Sequence, residues 1–116
     1  MCIRDSDITE AKIFFPEFPV YHFTVADDFL IISHAKYLII ANSTFSWWAA
    51  WLNTNCQMVI APKYWMRHNH SEYYWAPGES ITSGFYYMNR AGNLSSSSEC
   101  VDEIISKGII HANFPY

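Results

Sequence analysis

Apolar and polar positions along the chain predict an alternation of short helices and strands. Ile8, Ala11 and Phe15 recur at three- and four-residue steps, which predicts a helix over Asp7–Phe15 that Pro16 stops. Val20–Phe23 is strand-like. Asp27 and Asp28 then open a second helical run, Asp28–Ala35, where carboxylates suit the positive end of the helix dipole. Tyr37–Ala41 is apolar throughout, the pattern of a strand buried on both faces. Asn42-Ser43-Thr44 reads as a turn and N-cap. The helix after it carries Phe45, Trp47, Trp48, Ala49, Ala50, Trp51 and Leu52 and closes near Asn53 and Asn55. Met58–Ala61 is a further buried strand, ended by Pro62. Strand, helix, strand, helix, strand is the order of an α/β layer, a parallel sheet flanked by helices.

Past Pro62 the period is lost. Tyr64–Met88 is aromatic, with Pro77, Gly78 and Gly84 as breakers. Ser95–Ser98 reads as a low-complexity linker. Glu99–Ile105 reads as a last helix with Val101, Ile104 and Ile105 on one face and Lys107-Gly108 as its stop. The chain thus divides into an α/β core over residues 7–66 and a C-terminal part over residues 67–116. The opening Met1–Ser6 resembles a translated sequencing-library adapter. On that reading residues 1–6 are a non-native leader, Cys2 leaves the cysteine count, and coding sequence continues upstream.

Composition narrows the function. The 116 residues are 51% hydrophobic and 18% aromatic, which suits one packed domain and excludes a disordered chain. A formal charge of −4 with no Lys/Arg cluster gives a nucleic-acid backbone nothing to bind. The longest apolar stretch, Phe29–Ala41, is broken by Ser33, His34 and Lys36 and falls short of the roughly 20 residues of a membrane span. Cys2, Cys56 and Cys100 form no C-x-x-C pair, so neither a disulfide framework nor a zinc site is expected, and a reducing compartment is. Asn42, Asn69 and Asn93 begin N-x-[ST] triplets, which matter only in a secreted chain.

The chemistry is concentrated in Asn42–Ser46. A parallel strand that delivers the chain to a polar turn, with a helix starting at once, places backbone N–H groups and hydroxyls at the C-terminal edge of the sheet. Ligands of open α/β sheets bind there, and a helix start favours phosphate oxygens. Ser43, Thr44 and Ser46 would add hydroxyl donors. The plainer reading is that Ser43 or Thr44 only caps the helix, a contribution of about 1 kcal/mol. No Walker-type or G-x-G-x-x-G pattern is present. His34 is expected on the exposed side of its helix. Trp47, Trp48 and Trp51 are expected to pack their helix against the sheet. Trp65, Arg67 and His68 lie just past a strand end and read as a surface loop.

The run Asn42-Ser43-Thr44-Phe45-Ser46-Trp47-Trp48-Ala49-Ala50-Trp51-Leu52-Asn53 resembles a signature of the alpha-1,2-fucosyltransferases, glycosyltransferase family 11. Upstream, Asp27–Lys36 is similar to the D-[DL]-x-L-x-x-S segment of that family. Downstream, Val59–Trp65 is similar to its V-x-x-P-x-x-W, and Ala35 stands where the family often has cysteine. The resemblance covers about Asp7–Trp65. It implies a partial Rossmann-like C-terminal domain of a two-domain GT-B enzyme. Such an enzyme transfers L-fucose from GDP-fucose to the 2-hydroxyl of a galactose-terminated glycan, with inversion and without a metal cofactor. It also implies that Asn42, Ser43, Thr44, Phe45 and Ser46 surround the donor and that Asp28 lies near it, a candidate base. The family's H-x-R-R-x-D, which brings an arginine to the phosphates, has no match here, so this chain alone is expected to be inactive. For location the resemblance implies the cytoplasm, as in bacterial members, with Golgi or membrane association left open should a longer parent carry an anchor. Two other readings compete: a non-catalytic GDP-sugar or glycan-binding module using Tyr64–Tyr87 as a platform, and a structural α/β domain whose tryptophans only fill a core.

Overall fold

The computed structural model describes residues 5–68, 74–75 and 81–107. Helix α1 spans Asp5–Phe14, and the Phe15 amide still bonds the Ala11 carbonyl before Pro16 ends the run. The expected strand at Val20–Phe23 does not form. That segment pairs with no strand, and Tyr21 and Phe23 stack on each other at the surface. Helix α2 is Val25–His34 and starts three residues earlier than the acidic pair suggested. Thr24 is the cap, its hydroxyl accepting from the Asp27 amide, so the carboxylates fall inside the first turn.

Strand β1 (Tyr37–Ile39), helix α3 (Thr44–Trp51) and strand β2 (Met58–Pro62) form a parallel βαβ unit with Leu38 opposite Val59. A short 3₁₀ turn, Trp65–Arg67, follows. Strand β3 (Tyr86–Met88) adds parallel to β2, and β4 (Leu94–Ser96) adds antiparallel to β3 through a turn over residues 89–93. The sheet order is β1-β2-β3-β4. The sheet is therefore mixed, not purely parallel: a short turn can only return a strand antiparallel. Asn89 supplies that turn, its Oδ1 accepting from the Ala91 and Asn93 amides, and Gly92 takes the left-handed φ of 84° it requires.

The serine run is not a linker. Its first half completes β4, and Ser96 caps helix α4 (Ser97–Ser106) in a capping box with Glu99. Helix α4 buries Cys100 and half-buries Ile104, while Val101 and Ile105 face outward, so only one of the three residues expected on its core face lies there. Gly108 lies outside the described residues.

Alternation decides the core. Ile40, Val59, Ala61 and Tyr87 are buried together with Ala50 of α3, Cys100 of α4, Tyr64, Trp75 and Phe85. Trp75 meets Tyr64 and Tyr87 edge to face at 5.5 and 5.3 Å. The opposite face of β1 is bare: Tyr37 and Ile39 are 68% and 74% exposed. The expectation of a strand covered on both sides thus fails, and β1 is an edge strand with one buried face. The tryptophan helix is corrected likewise. Trp47 alone packs inward, its Nε1 donating to Thr82 Oγ1 at 2.8 Å, whereas Trp48 and Trp51 are half exposed. Trp51, one turn beyond Trp47, stacks on it at 6.0 Å and stays half exposed.

Candidate donor-binding rim

The ends of α2 and α3 are tied together at both levels. Near their starts, Phe29 meets the edge of Phe45 at 5.4 Å. Near their ends, the buried Asn53 donates to the Ile32 and Ala35 carbonyls at 3.1 and 2.7 Å and accepts from the Asn55 amide at 2.8 Å. The helices therefore run side by side in one direction. Both first turns sit at the edge of the sheet where β1 and β2 end. Asp28 and the stretch Asn42–Ser46 are thus brought to the same rim.

Their groups differ in availability. Ser43 is the N-cap of α3 by position, yet its side chain makes no capping hydrogen bond. The amides of Thr44, Phe45 and Ser46 belong to a first turn that no helical carbonyl can reach. Asn42 and Thr44 are exposed, Ser43 and Phe45 half-buried. Ser46 is fully buried, and its hydroxyl lies 3.2 Å from the Ala41 carbonyl and 3.0 Å from that of Ser43, so it braces the turn from within. Asp28 accepts from the Phe23 amide at 3.1 Å and pairs with His22 Nδ1 at 3.0 Å, which pins the entering segment to α2. His34 is exposed, as expected, and turns back to the Leu30 carbonyl.

At the same rim a cleft of about 360 Å³ opens beyond the ends of β1, β2 and β3. Ile39, Ile60 and Met88 form an apolar floor, and His68, Asn89 and Arg90 supply polar edges. His68 Nδ1 sits 2.9 Å from the Lys63 carbonyl, which fixes the proton on Nδ1 in the neutral ring and leaves Nε2 as an acceptor. The loop containing His68 therefore lines the rim, whereas Arg67 stacks on and bonds Tyr74. Asn89 and Arg90 escaped the sequence reading. The signal was there, an Asn-Arg-Ala-Gly-Asn turn between two short β segments, but reading Ser95–Ser98 as a linker concealed the second strand. A second cleft, about 270 Å³ and lined by Trp51, Gln57 and Thr82, lies at the opposite edge near the starts of β2 and β3. Among the described residues no three side chains converge as metal ligands, and no helix is long and apolar enough to cross a membrane.

An open α/β sheet whose parallel strands end at a polar helix start has the layout of a ligand-binding half-domain. Residues 12–79 match the profile of Glycosyl transferase family 11, and the chain belongs to that family. It is 49% identical over 45 residues to the O-antigen biosynthesis glycosyltransferase WbnK of Escherichia coli, a match over 38% of this chain and 15% of the relative. It is 56% identical over 39 residues to an alpha-1,2-colitosyltransferase of Escherichia coli, over 33% of this chain and 13% of the relative. The chain thus spans only about an eighth to a seventh of the length of these relatives. No solved structure matches it.

Proposed function

We propose that this chain is the donor-binding portion of an inverting alpha-1,2-fucosyltransferase of GT-B architecture, acting on GDP-fucose and a galactose-terminated glycan. The observation that carries this reading is the uncapped first turn of α3 at the strand-end rim. Ser43 heads the helix without closing it, so its hydroxyl and the amides of Thr44 and Phe45 are left to meet an anion. In this reading the diphosphate lies against Ser43 and Thr44, Asn42 and Phe45 flank the donor sugar, and Ser46 acts through the turn it braces. Asp28 holds the neighbouring helix start and its entering segment in place. In-line attack by the acceptor 2-hydroxyl expels GDP, whose developing charge is met by oriented N–H donors, with no metal needed.

A second donor has a specific observation in its favour. One relative's name is a colitosyltransferase with the same alpha-1,2 linkage, so the sugar carried by the nucleotide is colitose in the alternative reading.

Calorimetric titration of this chain tests the proposal. GDP binding is expected, weakened about tenfold by Ser43→Ala combined with Thr44→Ala, the loss of one to two charge-assisted hydrogen bonds. Binding of a galactoside with no binding of GDP would instead favour a glycan-binding module. Indifference of GDP affinity to the double change would leave a structural α/β domain.

A further inference from the structure

The tryptophans of α3 keep much of their surface outside the core. Trp51 is half exposed even though Trp47 stacks on it at 6.0 Å and Trp48 meets it edge to face at 5.6 Å. Its indole lines the cleft of about 270 Å³ at the edge of the sheet away from the donor rim, together with Gln57, Thr82, Ser83 and Gly84. The walls are tied in place. Trp47 Nε1 donates to Thr82 Oγ1 at 2.8 Å, the Thr82 amide donates to the Tyr87 hydroxyl at 2.8 Å, and the Gly84 amide donates to Ser97 Oγ at 3.2 Å. Gln57 is oriented too: its Oε1 accepts from the Tyr37 hydroxyl at 2.6 Å, which leaves the Nε2 hydrogens as donors. Thr82 accepts from Trp47 and keeps its own hydroxyl hydrogen to give, and Ser83 is exposed beside it.

No residue lining this cleft is charged, so an anion or a cation finds no counter-charge there. An aromatic plane beside neutral donors and acceptors suits a neutral pyranoside. The ring C–H groups of the sugar lie against the electron-rich face of an indole, and the hydroxyls at its edge meet amide and hydroxyl partners. We propose that this cleft is a second glycan site, which takes a β-galactoside unit on Trp51 and hydrogen-bonds its hydroxyls through Gln57, Thr82 and Ser83. The choice of a galactoside rests on the acceptor named in the proposed function, whereas the site owes nothing to the donor rim. The length of β2, roughly 15 Å, separates the two. A sugar held here is therefore not the one that reacts. A longer glycan anchored at Trp51 keeps its remaining units near the rim, which raises their effective concentration there.

Titration of the chain with lactose, followed by NMR at the Trp51 indole N–H and the Gln57 side-chain amide, tests this. Shifts at both groups with millimolar affinity are expected. Trp51→Ala should weaken binding at least about tenfold, as loss of an aromatic anchor does, while Trp51→Phe should stay within about threefold of the parent. Gln57→Ala should weaken binding about threefold to fivefold. Should Trp51→Ala fail to fold, Gln57→Ala at its exposed position still decides. Silence of both groups at tens of millimolar lactose would overturn the proposal, and so would binding that neither alanine weakens. Sedimentation as a dimer that Trp51→Ala dissolves would make the tryptophan patch a contact between two copies and overturn it as well. GDP is titrated into the same samples, and its affinity should not change with Trp51 or Gln57. A chain that binds lactose here but not GDP would lose the donor reading and keep this site, and the opposite result would do the reverse.

Discussion

At the residue scale, two serines in similar positions are put to different uses. Ser96 closes α4 through its hydroxyl and the Glu99 backbone, whereas Ser43 heads α3 without any such bond. Ser96→Ala is expected to cost about 1 kcal/mol in urea unfolding, the ordinary value of a lost cap. Ser43→Ala should cost less than about half of that while still weakening GDP binding. Equal losses of stability would assign Ser43 to capping and remove the reason for an anion there. A sequence shows that a polar residue precedes a helix, but which way its hydroxyl rotates depends on neighbours that the local pattern does not contain. Asn53 makes the same point. It reads as a helix stop, yet it is a buried clamp holding the Ile32 and Ala35 carbonyls of another helix. Asn53→Ala should destabilise the fold by about 2–3 kcal/mol, since it removes two long-range bonds from a buried site. Denaturation showing a loss under about 0.5 kcal/mol, typical of a surface change, would contradict the clamp.

At the scale of elements, the helices and the strands β1 and β2 could be read from apolar periodicity, but their faces could not, and β3 and β4 went unread in the aromatic and serine-rich stretches. The strand over Met58–Pro62 was legible because its apolar run has the length of a strand and closes at a proline. The tryptophan helix was not, because a helix apolar on every side has no preferred face until its neighbours exist. The attachment of α4 was invisible for a different reason: it depends on charges far apart in sequence. Glu103 bonds Lys63 and Lys107, each at 2.6 Å, and accepts from the Tyr64 hydroxyl at 3.0 Å. Tyr64, at a left-handed φ of 61°, is held there from both sides. Burial alone would raise the Glu103 pKa, but hydrogen bonds from Lys107, Lys63 and Tyr64 together bring it below its ordinary 4.5. Burial likewise pulls Lys63 down, and Glu103 outweighs it, so that ammonium lies above 10.5. The sign follows. A depressed carboxyl stabilises the fold fully above its unfolded value and loses that contribution as pH falls through the folded one. The raised lysine contributes below 10.5 and is lost only beyond it. Unfolding free energy should therefore fall as pH drops below about 4.5 and stay level through neutral pH. Glu103→Gln should reduce stability at pH 7 by about 1–2 kcal/mol, allowing for solvent screening at Lys107, and should flatten the acid limb. An acid limb unchanged in that variant would place the titrating group elsewhere.

At the scale of the whole molecule, the sheet has one finished face and one finished rim, and the two bear unequally on activity. What the sequence carried well was the stretch that makes the rim, since a turn, a helix start and a strand end are all local features. What it carried poorly was the surroundings of that rim, which other elements supply. Fucosyl transfer needs a stabilised diphosphate as well as a site that holds it. Among the described residues near this rim, Lys63 pairs with Glu103, Arg67 bonds Tyr74, and Arg90 and the His68 ring line the cleft. In the proposed reading the amides of α3 bind a phosphate in the ground state. The bidentate arginine contact implied by the family resemblance would add most as charge develops on the leaving group. The chain is therefore expected to bind GDP yet turn over GDP-fucose at least about a hundredfold to a thousandfold more slowly than a full-length relative, the usual consequence of one missing charge-stabilising donor. Release of GDP, followed with a galactoside acceptor, measures this. A rate within tenfold of the relative would show that Arg90, His68 and the α3 amides suffice, and that the leaving-group clamp lies within these residues.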